Sequence, residues 1–135
     1  MANGLDPIAD DEILFRRVPE CWFDFETQKP LDQAFGPHKK RDTTGVSLSR
    51  AKYKTIEEAA LGQPGKTYYI AVLRASDVRQ AGMTIDPRPT PDDPGHSEFS
   101  DLRADNYRDD LTQERQRRLV ELCLEIKGPF TTPGQ

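Results

Sequence analysis

The chain has 135 residues, of which 35% are hydrophobic and 31% are charged, and its formal net charge at pH 7 is −4. That length fits one domain with a modest core, and the composition excludes collagen, a coiled coil and a membrane-spanning helix. The acidic balance argues against a general nucleic-acid coat. The amino terminus has neither the basic nor the apolar stretch of a secretory signal, so a cytoplasmic protein without a membrane partner is expected.

Two strands are predicted in the first third of the chain. Residues 13–18 are rich in strand formers, and residues 45–49 alternate apolar and polar side chains, as in a strand with one buried face. The connection over residues 26–42 is longer than most loops, which indicates a functional or mobile segment. Leu31 and Phe35 are its expected apolar anchors.

The middle of the chain predicts two short helices on either side of one strong strand. Thr55 and Glu58 have the spacing of a capping box at the start of the first helix. Residues 66–74 are apolar over most of their length, which predicts a central strand covered on both faces. A second helix of one or two turns is predicted to begin at Ser76.

The last third of the chain predicts two weak strands and the longest helix. The weak strands are residues 83–85 and residues 96–99, the second of them on a sheet edge, and the proline-rich residues 86–94 join them. The helix is expected to begin at Asp110 and to end at Gly128. Its apolar stripe comprises Leu119, Leu122, Cys123 and Ile126.

Together these elements predict an α+β fold with a small mixed or mostly antiparallel sheet, two short helices and one amphipathic C-terminal helix. The single domain is expected to span residues 11–130, between flexible tails at residues 1–10 and 131–135. Cys21 and Cys123 lie beside apolar residues, which favours two buried thiols over a disulfide, and their spacing matches no zinc motif.

The charges are segregated along the chain. Residues 1–36 and 83–110 each carry eight acids and three bases, whereas residues 37–54 carry six bases and one acid. Gathered on one face, those bases would attract a phosphate, a nucleic acid or an acidic protein surface, unless the acidic segments neutralise them within the molecule. The candidate binding residues are Arg17, His38, Lys39, Lys40, Arg41, Arg50, Lys52, Tyr53 and His96.

Two further pairs of residues carry chemistry. His96 and Glu98 lie two apart in a predicted strand, so their side chains share one face and could do acid–base work, unless His96 only bonds the backbone of its turn. Arg16 and Arg17 point to opposite faces of the first strand. A partly buried arginine there would form either a structural ion pair or a clamp for an anion.

Four short motifs resemble a small bacterial family without an established activity. They are Leu-Phe-Arg-Arg at residues 14–17, Gly-Val-Ser-Leu-Ser-Arg-Ala at 45–51, Tyr-Tyr-Ile-Ala at 68–71 and Asp-Pro-Gly-His at 93–96. The resemblance covers residues 13–102 and implies a coherent fold, but it indicates no function.

A second resemblance is to ADP-ribosyltransferases, which place an arginine on an early strand, a Ser-x-Ser on a second strand and a catalytic glutamate on a later one. The chain departs from this family at two positions. It has Leu48 where the family usually has threonine, and it has His96 where the family has an acidic or amide residue. The chain is also short for that fold. The resemblance implies NAD as the cofactor and catalytic roles for Arg16, Ser47, Ser49 and Glu98.

Two functional hypotheses follow from these observations. The first is a bacterial binding or accessory module without a cofactor, a partner of a larger effector or part of a toxin–antitoxin pair. It would contact another protein through residues 37–54 and 86–99, with nucleic acid as a less favoured partner of residues 38–54. The second is a small ADP-ribosyltransferase-like enzyme or toxin, which requires its candidate catalytic side chains to line one pocket.

Overall fold

A six-stranded antiparallel sheet forms the centre of the molecule in the computed structural model, which describes residues 3–134. Its strand order is β6-β7-β4-β1-β5-β8, and β2 pairs with β3 in a separate hairpin. The strands are β1 (Ile13–Pro19), β2 (Phe23–Asp24), β3 (Lys29–Pro30), β4 (Val46–Arg50), β5 (Thr67–Arg74), β6 (Ile85–Pro87), β7 (His96–Phe99) and β8 (Glu125–Thr131). The helices are α1 (Ile56–Ala60), α2 (Ala75–Gln80) and α3 (Asp110–Leu122), with 3-10 turns at Glu20–Trp22, Asp32–Phe35 and Ala104–Asn106. The predicted α+β fold is confirmed.

The sheet is covered on both faces because apolar side chains point to both sides of its central strands. The larger core lies under α2, α3 and the turn Asp32–Phe35, and the smaller core lies under α1. Strand β5 runs between β1 and β8 and is buried from Tyr68 to Leu73, which confirms its predicted central position. The larger core includes Leu14, Val18, Val46, Leu48, Phe99 and Leu119, and the smaller includes Phe15, Ala60, Ile70 and Val72.

Local signals in the sequence are confirmed where they do not depend on distant partners. The Thr55 hydroxyl accepts a hydrogen bond from the Glu58 amide at 3.1 Å, and the Glu58 carboxylate accepts one from the Thr55 amide at 3.0 Å. This capping box starts α1, whose buried residues Ala59 and Ala60 pack on the sheet. None of the helices within residues 3–134 is long and apolar enough to cross a membrane.

The C-terminal helix ends earlier than expected, and a strand follows it. Helix α3 stops at Leu122, and the amide of Leu124 donates a 2.8 Å hydrogen bond to the Val72 carbonyl of β5. The chain continues as β8, so the predicted helical position of Ile126 is wrong. Pairing with β8 satisfies the backbone hydrogen-bonding groups on the free edge of β5, and a helical sequence pattern gives no information about such an edge. Pro129 is tolerated because β8 is itself an edge strand.

Three smaller expectations are also corrected. Strand β7 is an inner strand between β6 and β4, because β6 supplies a further ladder outside it. Phe35 is fully buried, but Leu31 is exposed. Cys21 is exposed and Cys123 is only partly buried, although burial raises the pKa of the Cys123 thiol to about 12.

The two segments expected to be flexible tails are packed against the domain where the structure describes them. Ile8 is buried in the larger core, and Thr132 exchanges backbone hydrogen bonds with Gly65 and Lys66. The N-terminal segment is held against the domain by Arg50, which lies at the end of β4 and is fully buried.

The segment that precedes β1 wraps around Arg50 in an arrangement we call the Arg50 clasp. The Arg50 guanidinium donates to both carboxylate oxygens of Glu12, at 2.8 and 2.7 Å, and to the Asp6 carboxylate at 3.0 Å. It also donates to the backbone carbonyl of Asp6 at 2.9 Å. The Asp6 carboxylate also binds the Lys52 ammonium at 2.6 Å and accepts a hydrogen bond from the Tyr53 hydroxyl. The buried charge is therefore paired and hydrogen-bonded, as burial requires.

Candidate functional site

The sheet opens between β1 and β4. The two strands pair at only two positions, Leu14 with Arg50 and Phe15 with Ser49, whereas β1 pairs with β5 along its whole length. A continued ladder would next place Arg16 opposite Leu48, but the strands have separated by that point. We call the resulting gap, together with the cavity above it, the β1–β4 cleft.

Arg16 fills the point at which the two strands part. Its Nε donates to the Ala34 carbonyl at 2.8 Å, and its Nη1 donates to the Ser47 carbonyl at 2.9 Å. Within residues 3–134 the side chain forms no ion pair with a carboxylate. Burial lowers the pKa of the Arg16 guanidinium to about 10, although the charge of Asp42 acts to raise it, so the group keeps its positive charge at neutral pH. Its hydrogen-bond acceptors in the described part of the chain are carbonyl oxygens.

One wall of the cleft is a polar patch on β4 and β7. Ser47 pairs directly with Glu98, and Ser49 pairs with His96, so these four side chains point to the same face of the sheet. The sequence predicts part of this placement, because Ser-x-Ser and His-x-Glu each put two side chains on one face of their own strand. Their meeting depends on the pairing of β4 with β7, which the sequence does not show.

Glu98 is held in place by neighbours on both sides. Its Oε1 accepts a 2.7 Å hydrogen bond from the Thr44 hydroxyl and lies 3.6 Å from the Nε of Arg88. His96 places its Nδ1 within 3.0 Å of the Arg88 carbonyl, which is the backbone bond expected of a turn histidine. The carboxylate is buried apart from its edge on the cleft, so its charge lies in a water-poor environment.

The cavity above these residues has a volume of about 900 Å³, which is within the range of small-molecule sites. It is lined by every residue for which a catalytic role was predicted, together with Arg17 and His96. Arg16 reaches it through the gap between the strands, because the pairing of Phe15 with Ser49 puts Arg17, and not Arg16, on the sheet face that carries Ser49. Its lining includes Arg16, Arg17, Ser47, Ser49, His96 and Glu98.

The remaining charges around the cleft divide into paired and unpaired groups. Lys54 binds Asp93 at 2.9 Å, and the second oxygen of that carboxylate is buried without a hydrogen-bond partner in residues 3–134. The Arg17 guanidinium donates to the Leu61 carbonyl and lies 5.1 Å from the centre of the Tyr68 ring. The cleft thus offers unpaired guanidinium charge and one unsatisfied acceptor, which suits a ligand that carries both phosphates and hydroxyl groups.

A second cavity of about 680 Å³ adjoins the cleft, and we call it the aromatic pocket. It lies between α3 and the segment that carries the turn Asp32–Phe35. Trp22, Gly36 and His38 line both cavities. The other residues of its wall include Lys39, Lys40, Tyr107, Gln113, Gln116 and Arg117.

The predicted basic surface does not exist as one face. Arg50 cannot serve a partner because it is fully buried and its donors are taken by the clasp, so a binding role for it does not fit the structure. Lys52 and Tyr53 are engaged by Asp6. The acidic N-terminal segment therefore neutralises this half of the basic block, as the alternative reading of the charge pattern predicts. The other half, His38, Lys39, Lys40 and Arg41, stays on an exposed turn beside both cavities.

Several residues of the site carry no signal in the sequence. Thr44 reaches a glutamate 54 positions away, and Asp93 meets Lys54 across 39 positions. Trp22 and Tyr107 line one cavity although they lie 85 positions apart in the chain. A single sequence offers no local pattern for such contacts, because each depends on how distant elements pack.

Comparisons with known proteins find no relative of this chain. It matches no protein-family model, and no curated protein or solved structure is significantly similar to it. In the described part of the chain, no group of three or more histidine, cysteine, aspartate or glutamate side chains is arranged to hold a metal ion. The functional argument therefore depends on the geometry of the cleft itself.

Proposed function

We propose that the β1–β4 cleft binds NAD and transfers its ADP-ribosyl group. The observation that carries the proposal is the position of Arg16, whose charge is bonded only to carbonyl groups at the edge of the cavity that holds Ser47, Ser49 and Glu98. The same order of arginine, Ser-x-Ser and glutamate underlies the resemblance to ADP-ribosyltransferases. Leu48 and His96 remain departures from that pattern.

The fit to a dinucleotide can be judged from the charges. A half-buried guanidinium without a carboxylate is costly, and a phosphate supplies the missing negative charge with matching two-point geometry. The unsatisfied oxygen of Asp93 is an acceptor that a ribose hydroxyl can reach as donor. Both groups line the same cavity, so one ligand can satisfy them together.

In the proposed reaction Glu98 supplies charge stabilisation. The bond between ribose and nicotinamide breaks with its electron pair leaving on neutral nicotinamide. Water, or another nucleophile with an O–H or N–H bond, forms the new bond to the same ribose carbon and loses its proton to solvent. The carboxylate stabilises the positive charge that develops on the ribose, and a water-poor site makes that interaction stronger. Thr44 and Arg88 act as positioning residues, because they hold one oxygen of this carboxylate. The hydroxyls of Ser47 and Ser49 lie on the same face to orient the substrate.

The test is release of nicotinamide from NAD, followed by chromatography. Replacing Glu98 with Gln should lower the rate about a hundredfold or more, since it removes the charge and keeps the shape. The matched control is Glu57→Gln on the exposed side of α1, which should leave the rate unchanged. If the wild-type protein neither binds NAD at millimolar concentration nor releases nicotinamide, the proposal is wrong.

A second candidate function, as a binding module for an acidic protein surface, is favoured by the exposed turn. Lys39, Lys40 and Arg41 are exposed and form no ion pair with a carboxylate among residues 3–134. The setting proposed with it is the bacterial cytoplasm, beside an effector or in a toxin–antitoxin pair. Three alanines at these positions should weaken binding to a partner purified from the native host and flatten its salt dependence. Unchanged affinity would assign the turn to solvent alone.

A further inference from the structure

We infer that the aromatic pocket binds the purine ring of a nucleotide whose phosphates lie toward the β1–β4 cleft. The inference rests on the proposed function for its ligand, but its evidence comes from a different cavity. The walls of that cavity carry two aromatic rings, those of Trp22 and Tyr107. Aromatic walls with a few polar groups are the usual surroundings of a planar heterocyclic ligand.

The polar groups of the pocket are suited to the edge of a base. Gln33 and Gln113 both line the cavity, and a side-chain amide offers a donor and an acceptor together. Gln116 is engaged otherwise, since its Nε2 donates to the Asp32 carbonyl at 3.1 Å. That bond ties α3 to the opposite wall and gives the pocket a defined width.

Positive charge lies at the same pocket. Lys39, Lys40 and Arg117 line it, and none of them forms an ion pair within residues 3–134. The Lys39 ammonium lies 5.1 Å from the centre of the Tyr107 ring, so the cation and the aromatic wall are held together. A ring attached to phosphates satisfies both features, whereas an uncharged apolar ligand would leave the cations unused.

The two cavities adjoin, since three residues line both of them. Gly36 lines both of them, and a Cβ added there would lie 3.0 Å from Nε2 of Gln116. His38 and Trp22 also face both sides. A nucleotide can therefore place its base against Trp22 and Tyr107 while its phosphates approach Arg16 and the exposed turn.

Trp22 provides the measurement, because it is the only tryptophan of the chain and lines both cavities. AMP and nicotinamide mononucleotide would be titrated separately while its fluorescence is followed. We expect Tyr107→Ala to weaken AMP binding roughly ten- to hundredfold, the usual loss when a stacked base loses its aromatic neighbour, and to leave nicotinamide mononucleotide unaffected. The matched control is Phe25→Ala, an exposed aromatic residue outside both cavities.

A second pair of variants tests the charge. Arg117→Ala should weaken AMP binding several-fold, whereas Arg118→Ala, one position along α3 and outside both cavities, should not. If AMP fails to bind, or binds equally to the wild type and Tyr107→Ala, the purine site is wrong, even where NAD is cleaved. If AMP binds as expected but NAD is not cleaved, the purine site stands and the transferase proposal fails.

Discussion

Two arginines on neighbouring strands occupy contrasting surroundings. Arg50 on β4 is fully buried, and its guanidinium donates to two carboxylates and three backbone carbonyls. Arg16 on β1 is half-buried at the mouth of a cavity, and only the carbonyls of Ala34 and Ser47 bind it. The first charge is balanced by carboxylates within the chain, whereas no carboxylate among residues 3–134 forms an ion pair with the second.

The contrast separates Arg50, which holds two segments of the fold together, from Arg16, for which we propose a ligand. Arg50 is the more deeply buried of the two, but the surroundings of the two side chains differ in more than burial. The difference is the charge of their partners, and it arises from the segment that covers each one. An acidic N-terminal segment lies over Arg50, whereas the turn Asp32–Phe35 brings only a backbone carbonyl to Arg16.

The largest expected effect is on stability, at the clasp. Arg50→Met leaves the carboxylates of Asp6 and Glu12 without their buried partner, so we expect a loss of about 3–5 kcal/mol in the free energy of unfolding. Urea denaturation measures it. Adding Asp6→Asn and Glu12→Gln to that variant removes the stranded charges and should recover part of the loss. A loss below about 1 kcal/mol for Arg50→Met would contradict the structural role.

At the cleft the expected effect falls on binding. Arg16→Lys keeps a positive charge but loses the planar fork, so we expect NAD to bind about tenfold or more weakly, with a stability loss of about 1 kcal/mol from the altered carbonyl bonds. Calorimetric titration and urea denaturation check the two parts. If stability falls as far as in Arg50→Met while binding is unchanged, the two arginines do not differ as described.

The smallest expected effect is a pH dependence confined to the clasp. Hydrogen bonds from Lys52, Tyr53 and Arg50 hold the pKa of Asp6 well below its usual range. Burial acts to raise the pKa of Glu12, but hydrogen bonds from Arg50 and the Ala9 amide outweigh it, and the pKa is lowered. Carboxylates whose pKa is lowered by folding stabilise the protein above their unfolded pKa, near 4, and lose that contribution as pH falls below it.

Thermal unfolding between pH 6 and pH 3 measures this dependence. The wild type should lose stability progressively below about pH 4. A variant with Asp6→Asn and Glu12→Gln should lose less over the same range, although it is less stable at pH 6. Asp11→Asn, at an exposed neighbouring position, serves as the control and should follow the wild type. Equal slopes for all three proteins would show that the clasp does not titrate.

Part of the candidate site could be predicted from the sequence and part could not. The Ser-x-Ser of β4 and the His-x-Glu of β7 are visible because alternation along one strand is a local property. Their convergence with Arg16 depends on β4 lying between β1 and β7. The sequence does not predict the roles of Thr44 and Arg88 or the walls of the aromatic pocket, because these also depend on the packing of distant segments.

The basic block shows how charge patterns mislead. Residues 37–54 carry six bases and one acid in sequence, but Arg50 is buried, and within residues 3–134 only the bases at positions 39–41 form no ion pair with a carboxylate. The partners of the neutralised half come from the N-terminal segment and from Asp93, which are about 40 positions away. The sequence places these basic residues in one block, but the packing of distant segments determines which of them face solvent.

By itself the sequence determined the strands β1, β4 and β5, the capping box of α1 and the α+β class, because strand alternation, apolar runs and helix caps act over a few residues. Only the tertiary structure decided that α3 gives way to β8, that the N-terminal segment closes over Arg50, and that β1 and β4 part at Arg16. These three outcomes depend on edge pairing and charge compensation between distant segments, whose free energies exist only once the chain has folded.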